Sequence, residues 1–205
     1  EAQARWKPDG FKPFAMTAMA IDPADGGQDE QVIAARHGGW YAPFKADKGT
    51  VTADPGMAFG FIMSVRRDGA PVVVDVGGGY GGKISLRLKD NDITHVAFNG
   101  ANKSMKKAKG SNVPFFNKRA EAVFFMRDEL DPDQDGGSVI ALPPDAELLA
   151  DLAAYRYDPN ALQVRGVYKI ESKEEMKKRL GRSPGNGDAA VMCLSEGNAA
   201  VKREA

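Results

Sequence analysis

The chain has 205 residues, 42% hydrophobic and 27% charged, with 28 basic and 28 acidic side chains and a formal net charge of zero. That is enough for one good core or two very small ones, and it excludes polyanion binding by overall charge, leaving only a local basic patch for that task. A single cysteine, Cys193, excludes an internal disulfide and fits a reducing compartment, and no apolar stretch approaches the ~20 residues of a membrane span.

The apolar run 15–21, closed by Asp22, reads as a first strand. Turn chemistry follows at Pro23-Ala24-Asp25-Gly26-Gly27-Gln28, then a second strand over 31–36. Gly38-Gly39 turns the chain into a third strand near Trp40 to Phe44, and three strands joined by short turns predict an antiparallel meander. Met57, Phe61, Ile62 and Val65 recur at helical spacing over 54–67. A strand at 71–75, a helix at 83–89 and a strand at 93–98 come next. The basic, polar stretch 99–116 reads as a loop, and Lys118 to Leu130 as a strong helix. An acidic turn precedes a helix over 143–155, and 162–170 reads as a strand or hairpin piece. A charged helix over 171–180 is expected to close at Gly181. Ser183 as cap and Pro184 as first residue are expected to open the last helix. The alternation predicts one α/β domain with a mixed sheet flanked by helices on both faces, and with loose ends at about 1–13 and 196–205. The first residue is Glu and no signal peptide is visible, so a fragment or processed chain with partner segments upstream is expected.

The segment Gly77-Gly78-Gly79-Tyr80-Gly81-Gly82-Lys83-Ile84 after Val72-Val73-Val74-Asp75 fits a dinucleotide fingerprint and nearly fits a phosphate-binding P-loop. The first needs an acid at the end of the next strand, where Asn99 stands; the second needs Ser or Thr where Ile84 stands. The glycines are better read as a strand-to-helix connection that leaves Asp75 uncrowded. Asp22, Asp75 and Asp188 then stand out, the first two at strand ends and the third at the mouth of the last helix. Carboxylates gathered at one sheet edge suit a hard divalent cation, and two such cations can hydrolyse a phosphodiester. Taken singly, each of these aspartates is equally a turn or cap residue.

Four stretches together resemble one known family. Asp22 to Arg36 resembles the first motif of viral terminase large subunits, and Val74 to Gly81 its second acidic station. Phe98-Asn99-Gly100 with Asn117 to Glu121 is similar to the family's middle segment, and Ile170 to Pro184 with Asp188-Ala189 to its C-terminal signature. The resemblance spans about Phe14 to Leu194. It implies the C-terminal nuclease domain of a tailed-bacteriophage DNA-packaging motor. The implied fold is ribonuclease H-like, and the implied cofactors are two Mg2+ or Mn2+ ions. The implied activity is cutting concatemeric double-stranded viral DNA in the host cell cytoplasm. The implied partners are an upstream ATPase domain of the same polypeptide, a portal and a small terminase subunit, with no membrane. By motif position Asp22, Asp75 and Asp188 are the catalytic, metal-binding acids. The family's last motif often has a further acid directly after Ser-Pro, where this chain has Gly185.

On the residues themselves, Asp22 is the expected bridge between ions, with Asp25, Asp29 and Glu30 nearby; Asp29 and Lys173 are secondary candidates, Lys173 for the scissile phosphate. Lys103, Lys106, Lys107 and Lys109 form the densest basic stretch and, with Lys118 and Arg119, are candidates for sequence-independent contact to DNA phosphates. Lys177, Lys178, Arg179 and Arg182 form a second basic group that either tracks a duplex or solubilises a helix. His37 and His95 lack partners at zinc-site spacing. Two alternatives stay open: a ribonuclease H-like enzyme cutting junctions or RNA–DNA hybrids, and a non-catalytic module docking DNA or a portal.

Overall fold

The sheet grows from a strand buried on both faces. Strand β1, Ala18–Asp22, sends Ala18 and Ala20 to one side and Met19 and Ile21 to the other, all fully buried. The structure, a computed structural model, describes residues 1–11, 14–24, 26, 29–50 and 54–204. Strand β2, Glu30–His37, runs antiparallel to β1 with Ala20 opposite Ala34. Its outer edge is shared by β3, Trp40–Tyr41, and β4, Lys45–Lys48. On the other side β1 pairs in parallel with β5, Val72–Asp75, and β5 in parallel with β6, His95–Phe98. The order is therefore β3-β2-β1-β5-β6, a mixed sheet of six strands with β4 beside β3 on the edge of β2.

Helices cover both faces, as the alternation of elements predicts. On the face holding Met19, Ile21 and Val74 lie α2, Pro55–Val65, and α3, Tyr80–Asp90, which contribute Ile62, Ile84 and Leu88. On the face holding Ala18, Ala20 and Ala34 lie α4, Lys118–Leu130, α5, Ala146–Ala154, and α8, Gly185–Glu204. The alanines of β1 and β2 leave room for α8 to lie directly across both strands. Burying side chains such as Ile21, Ile84 and Met192 in these two cores contributes about 1.5–3 kcal/mol each.

Several sequence expectations need correction. The stretch 162–170 is no strand: α6, Pro159–Arg165, occupies its first part, and only Tyr168 and Ile170 make isolated bridges. Asp158 caps α6, Pro159 fits its first turn and Gly166 ends it in the left-handed region; these signals override the apolar residues, and Val164 is left 81% exposed. The third strand stops at Tyr41, short of Pro43, which has no N–H for a ladder. The last helix opens one residue later than Ser183 and Pro184 suggest, with the Asp188 N–H donating to the Pro184 carbonyl. The loop 99–116 is anchored by buried Ala108 and Phe115. The N-terminal end, expected to be loose, is docked: it forms α1, Ala2–Arg5, the Trp6 indole donates to the Tyr41 carbonyl and the Trp40 indole to the Lys7 carbonyl. Helix α8 extends to Glu204. The helix over Lys173–Leu180, α7, begins with a Ser172–Glu175 capping box and ends at Gly181 in the left-handed region, as its sequence predicts.

Candidate active site

Parallel pairing of β1 with β5 places Ile21 opposite Val74, so the next residues, Asp22 and Asp75, end their strands side by side. The first turn of α8 brings Asp188 over the same sheet edge, and α7 delivers Lys173 from its first position. All four side chains meet. The Lys173 ammonium lies 3.0 Å from both carboxylate oxygens of Asp22, 3.0 Å from Asp188 Oδ2 and 3.9 Å from Asp75 Oδ2. Asp22, Asp75 and Lys173 line a cleft of about 840 Å3 that is also bordered by Asp29, Asn99, Phe116 and Asn117, and Asp188 lies behind them against Lys173. A second cavity of about 530 Å3 lies between α4, α5 and α8; none of the three acids borders it, but Tyr155 does.

Glycines make this convergence possible. A Cβ at Gly81 would collide with the Asp75 carbonyl, so only glycine lets the start of α3 sit on the end of β5. Gly79 caps that helix at φ 84°. The glycine-rich segment is thus a packing device beneath Asp75, which also receives the Gly77 N–H on Oδ1 at 2.9 Å. Gly81→Ala is expected to lower stability by about 3 kcal/mol, read as a fall in the urea midpoint; an unchanged midpoint would show that α3 can retreat. At Gly185, where the resembling family often has an acid, a Cβ would stand 3.0 Å from Val32 Cγ2 and 3.6 Å from Asp22 Oδ2, so a side chain there would enter the cluster. Gly187 lets α8 press on α5: its Cβ would be 2.8 Å from that of Asp151, and its N–H donates to Asp151 Oδ2 at 3.0 Å.

The electrostatics follow from burial. Removal from water pushes the Asp22 carboxyl up to about 7; Lys173 opposes this, and Asp188 and Asp75 add to it. Burial acts the same way on Asp188, yet Lys173, Arg119 and the Tyr155 hydroxyl outweigh it and hold that carboxyl down at about 2. Burial disfavours the Lys173 charge, but Asp188, Asp22 and Asp75 together raise it above the ordinary lysine range. The lysine is the internal counter-cation of the cluster.

Hydrogen bonding assigns the carboxylate oxygens. Asp188 Oδ1 accepts from the Tyr155 hydroxyl at 2.7 Å and from Arg119 at 3.3 Å, whereas no donor is aligned on its buried Oδ2. Asp75 has Oδ1 held by Gly77, with Oδ2 nearer the lysine. Asp22 turns both oxygens to the centre. Four carboxylate oxygens therefore face one positive point, a hard-oxygen donor set of the kind Mg2+ and Mn2+ take. The spacing is that of an ammonium: among the described residues no three acidic, histidine or cysteine side chains already close on an ion-sized point.

Of the other sequence candidates, Asp29, Glu30, Arg119 and Lys177 border the cleft. Asp29 sits on the cleft wall, paired with Lys177 at 2.5 Å and apart from the trio; Asp25 lies outside the described residues, as do Gly27 and Gln28 of its turn. Lys103, Lys106, Lys107 and Lys109 are exposed on the 99–116 loop, whose residues 99–101 and Phe116 border the cleft while these four lysines do not. Lys106 pairs with Glu121 at 2.9 Å, and Lys118 pairs with Glu121 and Glu196. Arg119 borders the cleft, and its guanidinium donates to Asp188 and the Glu171 carbonyl and lies over the Tyr155 ring. In the second basic group, Arg179 binds Glu171 and the Ala154 carbonyl, and Arg182 binds Asp151 at 2.7 Å and Glu147 at 3.1 Å, stapling α7 and the α8 entry to α5. His37 and His95 hydrogen-bond to the Phe14 and Ile93 carbonyls, and Cys193 is a fully buried core thiol. Sequence reading missed Tyr155 and Asp151; nothing in their local pattern marks them, because each meets its partner more than 30 residues away.

Neither a known protein family nor a curated protein matches the chain by sequence. Solved structures do match its fold. A lysine-to-alanine variant of the nuclease domain of large terminase subunit gp2 of bacterial virus Sf6, with manganese and β-thujaplicinol, superposes with TM-score 0.67 and 21% identity over 93% of this chain and 90% of that one. The fold is that of a phage terminase nuclease domain. The unsubstituted Sf6 domain gives TM-score 0.66 and 23% identity over 93% of this chain and 90% of that one. The nuclease of the large terminase from thermophilic phage G20c, with bound magnesium, gives 0.55 and 16% over 93% and 84%. The terminase-type, ribonuclease H-like sheet and its flanking helices agree with the architecture expected from sequence.

Proposed function

We propose that this chain is the nuclease domain of a phage large terminase subunit, a metal-dependent endonuclease that hydrolyses phosphodiester bonds of double-stranded DNA. The observation that carries this reading is the meeting of Asp22, Asp75 and Asp188 around one cationic point, on a fold shared with terminase nucleases. The biological substrate in this reading is concatemeric viral DNA in the host cytoplasm. The partners are an ATPase domain upstream in the same polypeptide, the portal and a small terminase subunit. No helix among the described residues is long and apolar enough to cross a membrane.

Asp22, Asp75 and Asp188 would hold the ions: Asp22 has both oxygens turned inward, and Asp75 and Asp188 have Oδ2 available while Oδ1 is held by protein donors. A bound pair of Mg2+ or Mn2+ ions supplies an activated water and neutralises phosphate charge. Lys173 has to yield its place to the cations. Its side chain is 32% exposed, so it can swing into the cleft and meet a phosphate oxygen there. Lys103, Lys107 and Lys109 would add sequence-independent backbone contacts beyond the cleft.

Incubation with supercoiled plasmid and Mn2+ tests the reading. Nicking and smearing that require the metal and disappear in Asp75→Ala support it. Cleavage confined to junctions or RNA–DNA hybrids points to the related enzyme class. DNA binding without cutting under any divalent metal, unaffected by loss of all three acids, points to a docking module.

A further inference from the structure

Asp188 is gripped on one side only. Its Oδ1 receives two donors, the Tyr155 hydroxyl at 2.7 Å and Arg119 at 3.3 Å, and these fill its lone pairs. Its Oδ2 is buried, has no aligned donor and lies 3.0 Å from the Lys173 ammonium. Tyr155 reaches Asp188 from the end of α5, across the gap left by Gly187, where a Cβ would stand 3.2 Å from the hydroxyl. The same glycine donates its N–H to fully buried Asp151, itself held by Arg182, so the tyrosine and the first turn of α8 are fixed to one frame. The Tyr155 ring also lies under the Arg119 guanidinium, 5.4 Å from its centroid, which aligns both donors on one oxygen. Burial and the neighbouring Asp188 push the tyrosine hydroxyl well above its ordinary value, so it stays a donor.

Resting on the nuclease reading above, we propose that Tyr155 is a positioning residue that makes Asp188 a one-oxygen ligand and thereby tunes the site to small, octahedral cations. Mg2+ demands near-ideal octahedral geometry, and Mn2+ takes similar oxygen sites; Ca2+ accepts bidentate carboxylates and irregular shells. Without the tyrosine, Oδ1 keeps only the longer Arg119 contact at 3.3 Å, and a carboxylate held that way can turn and offer both oxygens to one ion. That change favours calcium over magnesium and manganese.

The test is Tyr155→Phe, which deletes one hydroxyl from a ring bordering an open apolar cavity and keeps the ring's packing. Mn2+ affinity is read from the electron paramagnetic resonance signal of the free ion, and Mg2+ and Ca2+ affinities from their competition with it. The expected result is Mn2+ and Mg2+ binding weaker by about tenfold or more, the scale of losing a partner behind a metal ligand, with Ca2+ binding changed by less than about threefold. If the variant is too unstable for titration at room temperature, the ion-induced rise in its melting temperature gives the same comparison. Equal weakening for all three ions, or no weakening, overturns the proposal and leaves the nuclease reading standing. A wild-type protein that binds none of the three ions overturns both.

Discussion

Asp22→Asn is expected to reduce manganese-dependent plasmid cleavage by at least ~10³-fold, because it removes the carboxylate with both oxygens turned to the centre of the cluster. The same substitution should raise the stability of the metal-free protein at alkaline pH. Burial, opposed by Lys173 and reinforced by Asp188 and Asp75, pushes the Asp22 carboxyl up to about 7 in the folded state. Its unfolded value is about 3.9. A carboxyl raised on folding favours the fold while it holds its proton. That contribution is fully present below the unfolded value and is lost as pH rises through about 7. Asparagine never ionises, so the variant should melt above the wild type at about pH 8, with the difference shrinking as pH falls toward 4. Thermal melts in chelator across that range, beside plasmid assays, provide the check. Full cleavage by the variant would remove Asp22 from the site.

Lys173→Ala is expected to cost the metal-free protein about 2–4 kcal/mol at neutral pH. Removing one partner of a buried ion pair costs about 3–5 kcal/mol, and the figure is reduced here because the lysine side chain is 32% exposed and partly screened. The loss leaves Asp22, Asp75 and Asp188 facing one another with only Arg119 and Tyr155 as counterweights. A divalent cation should replace the missing ammonium. Added Mn2+ is therefore expected to raise the variant's melting temperature more than that of the wild type, in which ion and lysine compete for one place. An equal rise in both proteins would mean that metal and ammonium sit apart.

These expectations use residues of different legibility in the sequence. Asp22, Asp75 and Asp188 were visible because each closes or opens a strongly patterned element, and their order along the chain, with intervening segments, resembles one family. Lys173 was visible as a helix-start lysine and a secondary candidate for the scissile phosphate; that it stands among all three acids depends on where α7 places it. Arg119 read as a phosphate-binding base; its pairing with buried Asp188 while bordering the cleft was not legible, because the two lie 69 residues apart. The misread 162–170 segment shows the reverse case: its start and stop signals were local and legible, and apolar content obscured them.

By itself the sequence determined the elements, the strand ends on which two of the acids sit and the glycines that let α3 and α8 approach them, because these depend on residue period, capping chemistry and backbone freedom within a few neighbours. Only the tertiary structure decided which oxygen of each carboxylate faces the centre, which cation holds the cluster together and that Tyr155 grips Asp188. The contacts of Lys173 and Tyr155 with these acids span 15 to 151 positions, and in a low-dielectric interior their strength depends on distances and burial that no local pattern contains.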